Sequence, residues 1–345
     1  MYRPLLFLLA ALLVLPACQT SDSDVTADGA TAESGELVIY SGRKQALIEP
    51  IVDRFRDETG IDVQARYGSD AEMIAALEEE GDRSQADLFL ANTAGALGAA
   101  RNAGLFTDLP DSLLQMPSGF VPSSGQWVPV TVRFRVLAYD STRVDPSTLP
   151  ASVLDMPGAS NLAGRIGWTP TYSSFQDFIT ALRIDQGPEA TEAWIEGVQA
   201  LEPKAYGSNT PMLEALAAGE IDVALTNHYY VLRLLNNAAD APPPVGTHRF
   251  AEGDAGNLAL VTGAGALGTG QNRESALRFL SFLLQPETQA LFAEEVREYP
   301  VVRGVDVPPA LLSFDEVQNL SPDIDFEELR DLEGTLALLR DEELL

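Results

Sequence analysis

The sequence predicts an α/β fold made of two doubly wound units, each a mostly parallel sheet covered by helices. Three observations support this fold class. Strand and helix signals alternate from residue 36 onward, the alternation starts afresh in the middle of the chain, and about 310 residues follow the amino-terminal segment. That length exceeds what one hydrophobic core usually holds, so two units of ordinary size are expected.

The first unit opens with the short apolar strand Glu36–Tyr40, which breaks at Ser41-Gly42. The helix after it carries apolar residues on one face and should end at Gly60, with Pro50 tolerated only in its first turn. Period-two alternation then indicates a strand with one polar face. The later elements of this unit are predicted as strand 61–67, helix 70–80, strand 87–90, helix 93–103 and strand 127–132.

The second unit repeats the rhythm with its own elements. Phe175, Phe178, Ile179 and Leu182 have the i, i+3, i+4, i+7 spacing of an amphipathic helix. Thr210-Pro211 predicts a helix start, with a capping hydroxyl and proline in the first helical position. The strands are predicted over residues 133–139, 165–168, 221–226 and 258–261, and a long helix is predicted around residues 276–283.

The amino terminus has the features of an export signal. Arg3 precedes the apolar run Leu5–Leu15, and Pro16-Ala17-Cys18 follows. An apolar run of about 7–15 residues is typical of a signal peptide, whereas a membrane-spanning helix needs about 20. The position of Cys18 predicts cleavage after residue 17 and acylation of the cysteine, although Pro16 is unusual there. An ordinary secretory signal with an incidental cysteine is the alternative.

The composition of the chain argues against disulfide bonds and against some kinds of partner. Cys18 is the only cysteine, so no disulfide is expected, and residues 19–35 are small, polar and acidic, as in a flexible linker. The chain has 51 acidic and 22 basic residues and a formal charge of −29. Such a surface repels nucleic acid and anionic lipid, and it is typical of an acidic coat that keeps a protein soluble. No nucleic-acid partner is expected.

Six segments, taken in order, resemble the periplasmic ferric-ion-binding proteins of ABC importers. The match covers residues from about 36 to about 310. The segments are Ile39-Tyr40-Ser41-Gly42-Arg43, Ala86-Asp87-Leu88-Phe89, Arg133-Phe134-Arg135-Val136, Pro170-Thr171-Tyr172-Ser173-Ser174-Phe175, Tyr229-Tyr230 and Glu298-Tyr299-Pro300-Val301. The resemblance implies two α/β lobes of the type II periplasmic binding protein kind, a hinge of crossing strands, and an iron site in the cleft between the lobes.

The boundaries and partners follow from this resemblance. We expect a signal peptide over 1–17, lipidated Cys18 and a linker over 18–35, a first lobe from 36–134 and 259–304, and a second lobe from 135–258 and 305–345. The resemblance also implies ABC permease subunits with a cytoplasmic ATPase as partners. The protein should be a monomer, anchored by Cys18 on the periplasmic or cell-surface side of the cytoplasmic membrane.

The chemistry of Tyr229 and Tyr230 supports a ferric site apart from the resemblance. Fe³⁺ is a hard cation that prefers anionic oxygen donors, and a phenolate is one. Both residues follow a predicted strand, and Asn227 is a suitable turn residue there. Taken by composition alone, neighbouring tyrosines also fit core and rim aromatics. The resemblance favours the ligand interpretation.

The resemblance adds further candidates around these tyrosines. Tyr172 is a third possible phenolate or part of a cradle for a synergistic anion, carbonate or phosphate, at the helix start formed by Ser173 and Ser174. Arg43 and Arg133 match basic positions near the cleft, where a guanidinium can bind an oxyanion in a bidentate way. Arg135 shares the side of Arg133, so the sequence leaves open which of the two faces the anion.

Two departures from the family pattern are informative. Many members have a histidine ligand after the first strand and a glutamate ligand after the second, where this chain has Arg43-Lys44-Gln45 and Ala91-Asn92-Thr93. The departures favour a site of three tyrosines and an anion. Ser41, Asn92 and His228 are expected in the outer shell or at the rim.

Other functional classes find less support in the sequence. No Gly-x-Ser-x-Gly, Walker or His-Glu-x-x-His pattern is present, so no enzyme activity is expected. A binding protein of the same fold for a small anion or organic solute, and a subunit that presents a ligand to a sensor, remain alternatives.

Overall fold

The structure is a computed structural model that describes residues 35–115, 122–238, 241–317 and 319–345. The predicted signal peptide, Cys18 and nearly all of the linker therefore lie outside the described residues. The strands are β1 (Glu36–Ser41), β2 (Asp62–Tyr67), β3 (Leu88–Ala91), β4 (Val128–Asp140), β5 (Ile166–Trp168), β6 (Lys204–Ala205), β7 (Val223–Asn227), β8 (Val245–His248), β9 (Ala259–Ala266) and β10 (Tyr299–Pro300).

Helices separate most of these strands. The α-helices are α1 (Gln45–Thr59), α2 (Asp70–Glu80), α3 (Ala94–Asn102), α4 (Asp111–Leu114), α5 (Ser173–Gln186), α6 (Pro188–Gln199), α7 (Asn209–Ala217), α8 (His228–Asn237), α9 (Arg273–Leu283), α10 (Pro286–Leu291), α11 (Phe314–Val317) and α12 (Leu332–Asp341). Short 3₁₀ turns span Gly81–Arg83, Pro146–Thr148, Val153–Gly158, Ser160–Leu162, Ala255–Asn257 and Phe326–Arg330, and a π-helical turn spans Phe292–Val296.

The strands form one mixed sheet in the order β2-β1-β3-β9-β4-β7-β5-β6, with β8 and β10 also paired to β4. The β1–β2, β1–β3, β5–β7 and β5–β6 pairs are parallel, and β9 and β4 pair antiparallel with their neighbours. Because β5 and β7 are parallel neighbours, their carboxyl ends lie at the same edge of the sheet. Ligands of doubly wound folds bind at such an edge.

Strand β4 connects the two parts of the sheet. Its residues Val128–Phe134 pair with β9, and Arg135–Tyr139 pair with β7. The sequence predicted two separate strands over this stretch, which is wrong: the 13 residues are one continuous strand. The change of partner falls between Phe134 and Arg135. That position coincides with the predicted lobe boundary, although the boundaries themselves stay a prediction.

Two helix predictions need correction. Pro50 lies within α1 at its sixth residue, beyond the first turn, so the helix lacks one N–H donor there. Helix α7 begins at Asn209 after Ser208, which places Thr210 and Pro211 inside its first turn rather than at the cap. By contrast, Gly60 ends α1 as expected, with a left-handed φ of 70° that favours glycine and an N–H bond of 2.8 Å to the Arg56 carbonyl.

Apolar helix faces form the cores on either side of the sheet. Phe55 of α1 packs edge-on against Phe279 of α9, with ring centroids 4.9 Å apart, over β1 and β3. On α5, Phe175 contacts Trp168 and Phe178 contacts Trp194, with centroids 5.6 and 5.4 Å apart. Burial of each such side chain contributes about 1.5–3 kcal/mol to the free energy of unfolding. None of the helices in the described ranges is both long and apolar enough to cross a membrane.

Candidate metal centre

Three tyrosines meet at the edge of the sheet where β5 and β7 end. Tyr172 precedes the first residue of α5, and Tyr229 and Tyr230 lie in the first turn of α8. The Tyr172 and Tyr230 hydroxyl oxygens are 2.7 Å apart, and the rings of Tyr229 and Tyr230 are 4.2 Å apart. The structure thus brings all three predicted phenol ligands together, and we call them the tyrosine cluster.

The surroundings of the tyrosine cluster determine its charge. Burial is the main cause that raises the pKa of all three phenols, while Tyr230 further raises the pKa of Tyr172 and the charge interaction with Tyr229 further raises that of Tyr230. Arg133 acts in the opposite direction on each of them. Without a cation the phenols are therefore neutral at pH 7. A bound cation favours the phenolate form, so that metal binding would release protons.

Arg133 and Arg43 lie beside the tyrosine cluster as a buried pair. The Arg133 guanidinium donates to Asn92, to Oδ1 at 2.9 Å and to the backbone carbonyl. Arg43 Nη1 donates to the same Oδ1 at 3.3 Å. Asn92 therefore holds the two cations together on the cleft wall, and the described cleft lining includes both of them.

Arg133 and Arg135 occupy different places in the structure. Arg133 lines the cleft, whereas Arg135 is not part of the described cleft lining. It donates to Ser174 Oγ at 3.4 Å, Asn227 Oδ1 at 3.2 Å and the Leu225 carbonyl at 3.2 Å. These bonds tie α5 to the end of β7, directly before the helix α8 that carries Tyr229 and Tyr230.

A buried carboxylate missed by the sequence analysis neutralises Arg43. Glu298 is fully buried and accepts from Arg43 Nη2 at 2.9 Å and from Thr131 Oγ1. Burial works against the charged form, but Arg43 and Arg133 lower the pKa of Glu298 overall. Glu298 stands in one of the segments that carry the family resemblance, so the signal was present. Its pairing with a residue 255 positions away was not readable.

Asp70 is a second residue that the sequence analysis missed. It is the first residue of α2, and its carboxylate accepts from the Asn92 N–H at 2.8 Å and from Thr93 Oγ1 at 3.1 Å. Asp70 thereby orients Asn92, which in turn holds Arg43 and Arg133. The only sequence signal was its place at a predicted helix start.

The remaining predicted residues fall around this centre. Ser173 and Ser174 are the first two residues of α5, whose N–H groups have no partner within the helix and face an anion favourably. Ser174 also accepts a hydrogen bond from Arg135. Ser41 is buried behind the cleft, where its Oγ accepts from the Arg43 N–H at 3.1 Å.

His228 cannot act as a metal ligand in this arrangement, because both ring nitrogens are occupied. Nδ1 accepts from the Phe134 N–H at 3.2 Å, and Nε2 lies 2.8 Å from the Arg297 carbonyl. A carbonyl only accepts, so Nε2 carries the proton and the ring is neutral. Burial lowers the pKa of His228 to about 4, which agrees with that assignment. His228 is absent from the described cleft lining and directly precedes Tyr229.

Asp177 is a further cleft residue without a predicted role. It is 7% exposed, lines the cleft from α5, and its Oδ2 has no hydrogen-bond partner among the described residues. Burial raises the pKa of Asp177 to about 7, and Asp70 adds to this while Arg133 and Arg135 oppose it.

The cleft itself has a volume of about 1,020 Å³ and mixes apolar walls with the polar groups above. In the described part of the chain, the one group of three His, Cys, Asp or Glu side chains close enough to share a metal is Glu192, Glu196 and Glu342, outside the cleft.

The chain matches a protein family and an individual relative. Residues 37–295 match the family described as bacterial extracellular solute-binding protein. The Fe(3+)-binding periplasmic protein of Serratia marcescens is 28% identical over 318 residues, which cover 91% of this chain and 93% of that protein.

Solved structures agree with that match. Iron-bound HitA from Pseudomonas aeruginosa is 31% identical, with a TM-score of 0.81 over 89% of this chain and 99% of that one. The Trichodesmium protein IdiA (FutA), in complex with iron and citrate, is 26% identical, with a TM-score of 0.79 over 89% and 99% of the two chains. The predicted fold class, that of type II periplasmic binding proteins, is confirmed.

Proposed function

The chain belongs to the bacterial extracellular solute-binding proteins, and from that premise we propose that it captures ferric iron and delivers it to an ATP-driven importer. The observation that carries the proposal is the convergence of Tyr172, Tyr229 and Tyr230 beside two buried arginines. The relatives named for ferric iron match over most of both chains. The protein would bind and transfer iron without catalysing a reaction.

The donor set suits Fe³⁺ better than softer metals. Phenolate oxygens are hard anionic donors, and no thiolate or free imidazole lies among the described cleft residues. Three phenolates would neutralise the three charges of the ion.

A synergistic anion, carbonate or phosphate, would complete the coordination. The start of α5 at Ser173 and Ser174 offers N–H groups, and Arg133 offers a guanidinium on the cleft wall. Arg43 is already neutralised by Glu298, so Arg133 supplies the balancing charge. Asn92 holds Arg133 in place and needs no direct contact with the anion.

Metal analysis and an absorption spectrum of protein loaded at neutral pH in bicarbonate test the proposal. We expect one iron per chain and a phenolate-to-iron charge-transfer band that gives a pink-orange colour. Tyr229→Phe and Tyr230→Phe should each remove most ferric affinity, because each loses one donor oxygen and almost no volume.

Tyr206→Phe is the matched control, since it removes a phenol hydroxyl outside the cleft. A wild-type protein that stays colourless after addition of ferric citrate would refute the iron assignment. Unchanged iron retention in both single variants and the double variant would place the site elsewhere.

The export and delivery steps complete the proposed function. Cleavage after residue 17 and acylation of Cys18 would hold the protein at the outer side of the cytoplasmic membrane, where it would meet the permease. Cys18→Ala should release the protein from the membrane fraction without altering iron binding. If the variant stays membrane-bound, Cys18 is not the anchor.

A further inference from the structure

The side chain of His228 joins three parts of the molecule. It is the first residue of α8, directly before Tyr229 and Tyr230, and it is 3% exposed. Its Nδ1 accepts from Phe134 of β4, and its Nε2–H donates to the carbonyl of Arg297. The helix that carries two iron ligands is thus bonded to both the strand that spans the sheet and the segment before β10.

Both backbone partners of His228 are at irregular positions. Phe134 is the last residue of β4 opposite β9, and its neighbour Arg135 is already opposite Asn227 of β7. Arg297 has a left-handed φ of 62° and follows the π-helical turn Phe292–Val296. A buried N–H or carbonyl needs a partner, and at these two positions the imidazole provides it.

The Arg297 carbonyl is next in the chain to the carboxylate that holds Arg43. Glu298 accepts from Arg43 Nη2 at 2.9 Å. The following residue, Tyr299, lies against the His228 ring with centroids 4.6 Å apart and against Phe134 with centroids 5.3 Å apart. A shift of α8 is therefore transmitted through one ring to Glu298 and from there to Arg43.

We infer that His228 is a positioning residue that couples the iron-binding tyrosines to the Glu298–Arg43 pair, so that the phenolates and the anion-side arginines adopt their places together. The inference rests on the proposed function, because it concerns the same cleft. Its measurable consequence is that the gain in ferric affinity produced by bicarbonate depends on His228. Such a gain is a coupling free energy between two ligands.

Two amide variants separate the two bonds of His228. In His228→Gln the side-chain N–H reaches the position of Nε2 and can donate to Arg297, and in His228→Asn the side-chain oxygen takes the position of Nδ1 and can accept from Phe134. His228→Leu removes both bonds. His248→Leu is the control, because the Nε2 of His248 also lies 2.8 Å from a backbone carbonyl, that of Pro150, but none of residues 246–250 lines the cleft.

The experiment measures ferric affinity with and without bicarbonate, by competition with nitrilotriacetate, together with the charge-transfer band and the melting temperature. We expect His228→Leu to lose about 10–100-fold in affinity, the range typical of outer-shell partners. Its bicarbonate effect should fall and its band should shift. His228→Gln should keep most of the bicarbonate effect and His228→Asn should lose it, whereas His248→Leu should change the melting temperature alone.

The outcomes distinguish this inference from the proposed function. A wild-type protein that binds no ferric iron would overturn both. If the wild type binds iron and His228→Asn retains the full bicarbonate effect and an unshifted band, only the coupling through Arg297 is overturned. Should His228→Leu not fold, the comparison of the two amide variants still decides.

Discussion

Tyr172 is the residue whose role most affects the chemistry of the site. Its hydroxyl lies 2.7 Å from that of Tyr230, and it also precedes the helix start proposed for the anion. Loss of an outer-shell partner typically lowers metal affinity about 10–100-fold. If Tyr172 is a third phenolate ligand, Tyr172→Phe should lower ferric affinity by more than that. The charge-transfer band should lose the part of its intensity that comes from one of three phenolates.

Spectral titration of Tyr172→Phe beside Tyr206→Phe measures this effect. An unchanged band with a weakened bicarbonate effect would assign Tyr172 to the anion instead.

Asp177 predicts a pH dependence of stability in the metal-free protein. Its carboxyl has an ordinary pKa of 3.8 and a folded pKa of about 7, raised mainly by burial. Between these values the folded state holds a proton that the unfolded state releases, so stability falls as pH rises, by up to about 1.4 kcal/mol per pH unit. Asp177→Asn removes this loss.

Chemical denaturation at pH 4 and pH 8 tests the assignment of Asp177. We expect Asp177→Asn to stabilise the protein at pH 8 and to change little at pH 4. Glu58→Gln, which removes an exposed acid of α1 that pairs with Arg54, should not stabilise the protein at pH 8. Equal effects of Asp177→Asn at both pH values would contradict the argument.

At the level of residues, the chemistry of phenolates pointed to Tyr229 and Tyr230, and the family resemblance added Tyr172, Arg43 and Arg133. It missed Asp70 and Glu298, whose roles arise from contacts 22 and 255 positions away. An acidic residue in a chain with 51 of them carries no signal of its own. Pairing of this kind becomes visible only in three dimensions.

At the level of elements, local pattern predicted most of the described strands and about half of the described α-helices. Strand β4 was divided in two because the pattern does not show which neighbour a strand pairs with. Its two segments differ in partners, β9 for one and β7 for the other, while the backbone runs on without a break. The short strands β6 and β8 carry little periodicity, and they were not predicted.

The contact between α3 and the Phe326–Arg330 turn depends on Gly95. A Cβ at this position would lie 2.7 Å from the Leu329 carbonyl oxygen, which is backbone and cannot move aside alone. Gly95→Ala should therefore lower the melting temperature, although alanine is the better helix former by about 1 kcal/mol.

Gly334→Ala in α12 is the control for Gly95→Ala. Its Cβ would meet only side-chain ends, those of Arg183 and Asp331, rather than backbone. Thermal unfolding should show little loss for this variant. A stabilised Gly95→Ala protein would mean that the turn does not pack against α3 in solution.

At the level of the whole molecule, the charge of −29 opposes the compact state through self-repulsion. Glu192, Glu196 and Glu342 illustrate it locally, since their carboxylate oxygens lie within 4.8 Å of one another. Burial is the largest cause that raises the pKa of Glu342, and the charges of Glu196 and Glu192 are the next largest. We expect salt to raise the melting temperature of the metal-free protein, and Glu196→Gln to raise it at low salt.

Screening determines how that stabilisation changes with salt, because the Debye length falls from about 30 Å at 0.01 M to about 3 Å at 1 M. The advantage of Glu196→Gln should therefore shrink as sodium chloride increases. Glu58→Gln should have the opposite effect and lower the melting temperature at low salt. Glu58 pairs with Arg54 at 2.7 Å on an exposed helix face, and the variant loses this ion pair. Melting temperatures of the three proteins across this range measure both effects. A melting temperature of the wild type that falls with added salt would show that its acidic surface is held together by specific ion pairs rather than opposed by repulsion.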